Sequence, residues 1–419
     1  MTFPAFLSDY LRPLIKRVGW LTLAQVVASL ASFVTAVVLG YMLSPEVYGT
    51  YKYIISLSLI ISAFSLTGAS IALIRSVAQG YTGTIYSALS TSFKWSLLSS
   101  GLAVLGALYY FFNDNSVLGF SLLIVALFDP FIRTYGLYTS YLNGHKDFKR
   151  ISLYGMIPDI ALASLLIVSA FMSDSVILLV AVYFIVNALL HYVLYKRALV
   201  AHVPNSENDV SFMKSNKHLS VMNIFQTGAQ HLDKVLVFGW IGAAPLAVYF
   251  FATALPEQMR AFFKITNALI LPEYASARVT VTNERVLGAV GKALLVIIPL
   301  VVIYIVCAPL LFAIFFPQYI ESVIYSQVFA LSLVGTAVFA ILVSVLQAKD
   351  ELKKLHFVNI ASACVQISIV FVFLVIFQNI WSVVYARVLT TVLLPFITWG
   401  LGFTTAIEHL EHFRRRIIK

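Results

Sequence analysis

The sequence predicts an all-α polytopic membrane protein. Twelve transmembrane helices should form two six-helix lobes, related by a pseudo-two-fold axis along the membrane normal. Three observations predict this fold: a composition too apolar for a water-soluble domain, twelve apolar segments of membrane-crossing length, and an approximate internal repeat. Of the 419 residues, 60% are hydrophobic and 11% are charged, and the mean hydropathy is +0.92. A water-soluble domain could not bury that much apolar surface.

The twelve apolar segments are each close to the ~20 residues that a helix needs to cross a bilayer. Short connections separate several of them. The predicted spans are 18–41, 51–71, 85–112, 117–141, 151–172, 175–195, 219–242, 246–271, 290–316, 322–347, 356–377 and 380–402.

Basic residues alternate between successive connections, and this alternation predicts the topology. Lys and Arg are concentrated in the two termini and in every second loop, whereas the opposite loops contribute Lys52 alone. The positive-inside rule then places both termini in the cytoplasm. Topology therefore accounts for the formal charge of +10, and nucleic acid is not an expected partner.

The same alternation divides the chain into five parts. The longest loop is polar and separates six spans from six, so we expect a flexible cytoplasmic linker there. The predicted parts are a cytoplasmic or interfacial N-terminus (1–17), an N-lobe with spans 1 to 6 (18–195), the linker (196–218), a C-lobe with spans 7 to 12 (219–402) and a basic cytoplasmic tail (403–419).

Two matches between the halves indicate the internal repeat. Polar residues on one face of span 1 correspond to those on span 7 at an offset of 201, so that Gln25 lies over Gln226. The loops after spans 4 and 10, 140–150 and 344–354, match at an offset of 204. Because each half has an even number of spans, both keep the same orientation, which predicts an axis along the membrane normal and a binding site between the lobes.

Charged residues inside the spans are the strongest functional signal. A charge near the bilayer centre costs at least ~2.5–3.5 kcal/mol, so aligned polar stripes on spans 7 and 8 predict a wet, protein-lined cavity. The alternative is a set of ion pairs that join the helices. The bases predicted inside spans are Lys94, Arg133, Lys234, Arg260, Lys264 and Arg387, and the acids are Asp129, Asp159, Asp233 and Glu257.

Other residue types exclude several classes of site. The two cysteines lie in apolar runs and suggest neither a metal site nor a disulfide framework. The sequence has no Gly-rich phosphate loop, so we expect no nucleotide hydrolysis, and no cofactor or metal is predicted. Aromatic residues near predicted span ends, namely Trp20, Tyr41, Trp240 and Tyr249, are interpreted as interface anchors.

Six pieces of sequence, spread in order along the chain, resemble a known family. They are 43–51 (LSPEVYGTY), 68–75 (GASIALIR), 142–150 (LNGHKDFKR), 232–239 (LDKVLVFG), 247–252 (AVYFFA) and 271–274 (LPEY). Together they are similar to the polysaccharide-exporter family, the O-antigen and lipid-linked-oligosaccharide flippase branch of the multidrug/oligosaccharidyl-lipid/polysaccharide exporter superfamily. The segment 242–246 (GAAPL) departs from the glycine-rich turn usual in that family.

The resemblance implies an alternating-access flippase of the bacterial inner membrane. Its substrate would be an undecaprenyl-diphosphate-linked oligosaccharide, such as an O-antigen repeat unit of lipopolysaccharide, moved from the cytoplasmic to the periplasmic leaflet. Polysaccharide polymerase or other assembly proteins are possible partners besides the substrate and membrane lipids. Two alternatives stay open: a cation-coupled multidrug exporter of the same superfamily and a membrane enzyme of polysaccharide assembly. The excess of bases over acids inside the spans and the short periplasmic loops favour the flippase, so we expect no enzyme activity.

These expectations assign roles to individual residues. Bases should hold the anionic head group and amides should line the cavity, since arginine suits bidentate phosphate contacts. Among the acids, Asp129 and Glu257 have a base one turn away in their own span, so we rank Asp159 and Asp233 ahead of them as proton or cation carriers. The predicted head-group and cavity residues are Arg133, Lys234, Arg260, Lys264, Arg387, Gln25, Asn223, Gln226 and Gln230.

Overall fold

The computed structural model describes residues 3–65, 68–209, 212–275, 283–348 and 352–402, and within these ranges all of its regular secondary structure is helical, without strands. Some side chains in these helices lie outside the described part, namely those of 3–18, 213–223, 261–275, 283–285, 347–348, 352–353, 356 and 401–402. The helices are α1 Phe3–Met42, α2 Pro45–Ser62, α3 Ala69–Ala78, α4 Thr84–Phe112, α5 Ser116–Tyr135, α6 Tyr138–Gly144, α7 Phe148–Met172, α8 Val176–Ala201, α9 Phe212–Trp240, α10 Ala243–Ala275, α11 Asn283–Phe315, α12 Ser322–Ala330, α13 Ser332–Ala348, α14 Leu352–Phe377 and α15 Ile380–Gly402, with a 3₁₀ turn at Pro317–Tyr319.

The helices follow the predicted order of spans. Nine segments in the described part of the chain are long and apolar enough to cross a membrane by length and composition. The three predicted spans outside that set correspond to α2, α9 and α10. These three helices carry polar and charged residues that lower their hydropathy.

The second predicted span, 51–71, is placed wrongly. Helix α2 begins at Pro45 and ends at Ser62, and α3 begins at Ala69, so it includes only the last residues of the predicted span. Ser44 caps α2 by accepting a hydrogen bond from the Val47 amide at 3.3 Å, and proline follows at the first helical position. Lys52 therefore lies inside a helix rather than in a loop, with its ammonium 5.3 Å from the ring centroid of Tyr48.

The chain divides into two compact units, Met1–His231 and Leu232–Lys419. In the first, α4 packs on α5, α1 on α7, and α8 on both α5 and α7. In the second, α15 packs on α13 and α14, while α10 packs on α12 and α13. Phe251 of α10 is fully buried against Tyr319, with ring centroids 4.0 Å apart, which anchors α10 in its unit.

The segment predicted as a flexible linker is held against the first unit over much of its length. Helix α8 continues through Ala201, and residues 202–209 then bind the turn between α3 and α4. The Asn205 side chain donates to the Gly80 carbonyl at 2.8 Å and accepts from the Gly83 amide at 2.9 Å. Gly83 is required there, because a Cβ would lie 2.5 Å from the Asn205 carbonyl oxygen. Residues 202–209 are therefore held against the turn between α3 and α4.

A titratable cluster joins the same segment to the start of α7. The imidazoles of His145 and His202 stack with centroids 4.3 Å apart, and the His202 ring nitrogen Nε2 lies 3.0 Å from an Asp147 oxygen. Burial alone would raise the pKa of Asp147, but hydrogen bonds from His202 and Arg150 outweigh it and lower the pKa. Burial, aided by the neighbouring His202, lowers the pKa of His145. Both shifts favour a cluster in which Asp147 is ionised and His145 is neutral.

Candidate functional site

The candidate site lies in the second unit and begins with the hairpin of α9 and α10. Gly242, at φ +124°, forms a tight turn between the helices, and its amide donates to the Val237 carbonyl at 3.0 Å. An α-helix rises 1.5 Å per residue. Asp233 and Tyr249 therefore both lie roughly 10 Å from the turn, which brings their side chains to the same depth. Arg387 lies at a similar distance, roughly 10 Å, from the start of α15.

Asp233 is the centre of this arrangement and is only 2% exposed. The Tyr249 hydroxyl donates a hydrogen bond to its Oδ2 atom at 2.7 Å. Arg387 Nε lies 3.3 Å from the same oxygen, and Lys234 Nζ lies 3.4 Å from Oδ1. A buried carboxylate needs such partners, because an isolated charge removed from water is strongly destabilising.

Arg387 joins α15 to both helices of the hairpin. It is 7% exposed, and besides contacting Asp233 it places a terminal nitrogen 3.9 Å from Glu257 Oε1. Glu257 also forms an ion pair with Arg260, whose Nη1 atom lies 3.2 Å from the same oxygen. Unlike Arg387, the side chains of Arg260 and Glu257 are 34% and 41% exposed. The site therefore has a buried end at Asp233 and an exposed end at Arg260.

Two features of this site differ from what the sequence indicates. Asp233 has partners beyond its own helix, because three side chains from α9, α10 and α15 engage it. Tyr249 was interpreted as an interface anchor, whereas it is fully buried and donates to Asp233. The alternative of ion pairs that join the helices is correct for Asp233, Glu257 and Arg387.

A second ion pair lies within the first unit. Arg133 Nε donates to Asp129 Oδ1 at 3.1 Å, one turn apart on α5, as the spacing predicts. Ser62 at the end of α2 donates to the other Asp129 oxygen at 2.8 Å, which sequence reasoning missed because serines recur along this helix. Asp129 is buried, whereas the Arg133 side chain is 32% exposed. The acid thus holds one edge of the guanidinium while part of the arginine remains accessible.

The structure also locates those of the other predicted site residues whose side chains it describes. Gln25 donates to Ser29 within α1 at 3.3 Å, Gln226 is half-buried, and Gln230 is exposed. Asp159 is exposed on α7. The side chains of Asn223 and Lys264 lie outside the described residues.

The chemistry of the described residues is that of ion pairing. In the part of the chain that the structure describes, no group of three or more His, Cys, Asp or Glu side chains could hold a metal ion. Arginines held by carboxylates on one edge can offer their remaining N–H groups to a planar or tetrahedral oxyanion. Such groups suit the binding of an oxyanion better than that of a cation.

Solved structures similar to this chain include a lipid flippase and multidrug resistance transporters. An inward closed conformation of the lipid II flippase MurJ has a TM-score of 0.68 at 13% identity, with 93% of this chain and 88% of that chain covered. An inward-facing multidrug resistance MATE family transporter of the MOP superfamily has a TM-score of 0.67 at 13% identity, covering 90% and 96%. An outward-facing MATE family transporter gives 0.61 at 14%, covering 93% and 97%.

These similarities confirm the predicted fold class, a polytopic all-α membrane protein with twelve spans in two lobes. No curated protein matches the chain in sequence. A family model described as polysaccharide biosynthesis protein matches residues 14–255, more than half of the chain. The chain therefore belongs to the polysaccharide biosynthesis protein family and has the fold of the MOP-superfamily transporters.

Proposed function

We propose that this protein is a flippase for an undecaprenyl-diphosphate-linked oligosaccharide, the repeat unit of an O-antigen or similar surface polysaccharide. It moves the lipid from the cytoplasmic to the periplasmic leaflet of the bacterial inner membrane by alternating access, with both termini in the cytoplasm. The match to the polysaccharide biosynthesis family supports the substrate class. The similarity to a lipid II flippase supports a fold that can carry out such transport.

One observation carries the proposal: two arginines inside membrane spans are held by acids yet remain about one-third exposed. Arg133 and Arg260 are 32% and 34% exposed at the side chain, each with a carboxylate on one edge. An arginine inside the hydrocarbon region is costly unless it meets water or an anion. A diphosphate supplies oxygens that can accept two parallel N–H bonds from a guanidinium of this kind. A cationic drug would be repelled by the same groups, so the exporter alternative is less well supported.

The remaining predicted residues keep supporting roles in this proposal. Lys234 and Lys264 add positive charge for the diphosphate, and Gln25, Asn223, Gln226 and Gln230 supply amides for the glycan. Arg387 acts through Glu257 and Asp233, which it contacts directly. Lipids of the inner membrane and proteins of polysaccharide assembly are the proposed partners besides the substrate.

Repeated transport in one direction needs an energy source, and we assign ion coupling to Asp159. Asp233 and Glu257 each contact at least two bases, and Asp129 contacts Arg133. An acid so paired is held in a structural contact, which makes it a weaker candidate for carrying an ion. Asp159 is exposed on α7 and takes part in no ion pair in the described part of the chain.

Reconstitution tests the proposal with a variant and its matched control. Protein in liposomes should speed the transfer of a fluorescent undecaprenyl-diphosphate-linked disaccharide between leaflets. Arg260→Glu should abolish that transfer, because the reversed charge repels the diphosphate, whereas Arg260→Lys should retain part of it as a point charge. Normal transfer by Arg260→Glu would contradict the role of this site, and no transfer by the wild type would contradict the proposed function.

A further inference from the structure

Glu257 is shared by two guanidinium groups of very different exposure. Arg260 lies on the same helix, and its Nη1 atom is 3.2 Å from Oε1 and 3.5 Å from Oε2 of Glu257. Arg387 approaches Oε1 from α15 at 3.9 Å, which is longer than a hydrogen bond. Glu257 thus binds its exposed partner closely and its buried partner loosely.

The buried end of the cluster does not need Glu257 to remain intact. Asp233 has contacts to Arg387, Lys234 and Tyr249, at distances from 2.7 to 3.4 Å. Breaking a buried ion pair of this kind costs about 3–5 kcal/mol, so Arg387 should stay on Asp233 throughout. An ion pair between partly exposed side chains is worth only about 0–1 kcal/mol, so the Glu257–Arg260 contact is the one that can open.

We propose that the Glu257 carboxylate pairs with Arg260 when no substrate is bound and gives up this contact to the substrate diphosphate. We call this the stand-in role of Glu257. When phosphate oxygens bind Arg260, the Glu257 carboxylate moves about 1 Å closer to the Arg387 guanidinium, within hydrogen-bond distance. Glu257 therefore keeps a charged partner. The reverse exchange, in which Glu257 recovers Arg260, helps to release the diphosphate after translocation. This role rests on the proposed function, since it names a positioning residue for the same head group.

The exchange predicts opposite changes in affinity and turnover when Glu257 loses its charge. Glu257→Gln removes the competitor for Arg260, so the dissociation constant for undecaprenyl diphosphate in nanodiscs should fall by at least about threefold. The rate of flipping at saturating substrate should fall as well, because release loses its assistance. A residue with only a structural role would instead weaken binding when replaced. Glu257→Asp should return both values towards the wild type, because it restores the charge.

Two further measurements separate this exchange from general electrostatics and from failure of the proposed function. Asp233→Asn removes the same charge from the buried end of the cluster, so it should leave the dissociation constant unchanged or raise it. Equal tightening by both variants, or no tightening by Glu257→Gln in a protein that retains wild-type thermal stability, would overturn the stand-in role. Absence of binding by the wild type would overturn the proposed function itself, and this inference with it.

Discussion

The hydrogen bond from Tyr249 to Asp233 offers a sharp test of the buried end of the site. Tyr249→Phe removes a single hydroxyl and leaves the ring in place. That hydroxyl donates at 2.7 Å to an oxygen of a carboxylate that is only 2% exposed. The variant therefore leaves the acceptor with Arg387 and Lys234 but without its closest donor.

The expected loss of stability follows from the charge on the acceptor. Hydrogen bonds to charged groups contribute about 1.5–3 kcal/mol, compared with about 0.5–1.5 kcal/mol for neutral pairs. For a neutral pair between membrane helices the expected contribution is smaller, since such hydrogen bonds average about 0.6 kcal/mol in double-mutant cycles. Tyr304 provides a matched control, because it is another buried tyrosine of the same unit whose hydroxyl meets Ser326, a neutral partner. We expect Tyr249→Phe to cost about 1.5–3 kcal/mol and Tyr304→Phe to cost less.

The free energy of unfolding in mixed micelles, obtained by titration with sodium dodecyl sulfate, measures both losses. A double-mutant cycle with Asp233→Asn should show coupling between Tyr249 and Asp233, because the two groups share one hydrogen bond. A loss at Tyr249 equal to or smaller than that at Tyr304, or zero coupling to Asp233, would refute the assignment of an ionised Asp233.

Three further predictions concern topology, pH and coupling. The topology can be tested with a single cysteine at the exposed Ser206, in a protein whose two exposed native cysteines are replaced. This cysteine should react with an impermeant reagent only from the cytoplasm, and labelling from the periplasm would contradict the predicted topology. Acidification from about pH 7 to about pH 5 should increase proteolysis of the segment after α8. The folded state lowers the pKa of His145 and so favours its neutral form. This contribution to stability is complete above the unfolded pKa of about 6.5 and is lost as the pH falls below it. Asp147, whose pKa is lowered, should keep its contribution until the pH falls below about 3.9, so persistence of protection at pH 5 would show that His145 does not stabilise the segment. In proteoliposomes, the flipping rate of Asp159→Asn should no longer respond to imposed pH or sodium gradients, whereas that of Asp129→Asn should still respond. A normal response of Asp159→Asn would show that another residue carries the coupling.

The fold was predictable because the signals for membrane helices are local. A span needs a sufficient apolar length, and the basic loops alternate within a few residues of the span ends. The second span was misplaced although Ser44 and Pro45 carry a helix-start signal, since the apolar length of 51–71 was given more weight. The Asp129–Arg133 pair was also predictable, because both residues lie on one helix.

The cross-helix partners were not predictable from one sequence. Arg387 reaches Asp233 and Glu257 only after α15 packs in the second unit, and nothing in the spacing of these residues along the chain encodes that contact. Tyr249 had the position of an interface residue, and only the tight turn at Gly242 places its hydroxyl on Asp233. The contacts of Asn205 were not predictable either, because its partners are mostly backbone groups of a distant turn, which have no sequence signature.

The most direct test of the proposed flippase function is the leaflet in which lipid-linked oligosaccharide accumulates when the protein is depleted from its own cells. Sealed spheroplasts expose the periplasmic leaflet to an impermeant glycan-binding probe, and inverted vesicles expose the cytoplasmic leaflet. The proposed function predicts that the accumulated lipid is reached only in inverted vesicles, and that wild-type protein, but not Arg260→Glu, restores its access from the periplasmic side. Accumulation in the periplasmic leaflet, or an unchanged distribution between the two, would contradict it.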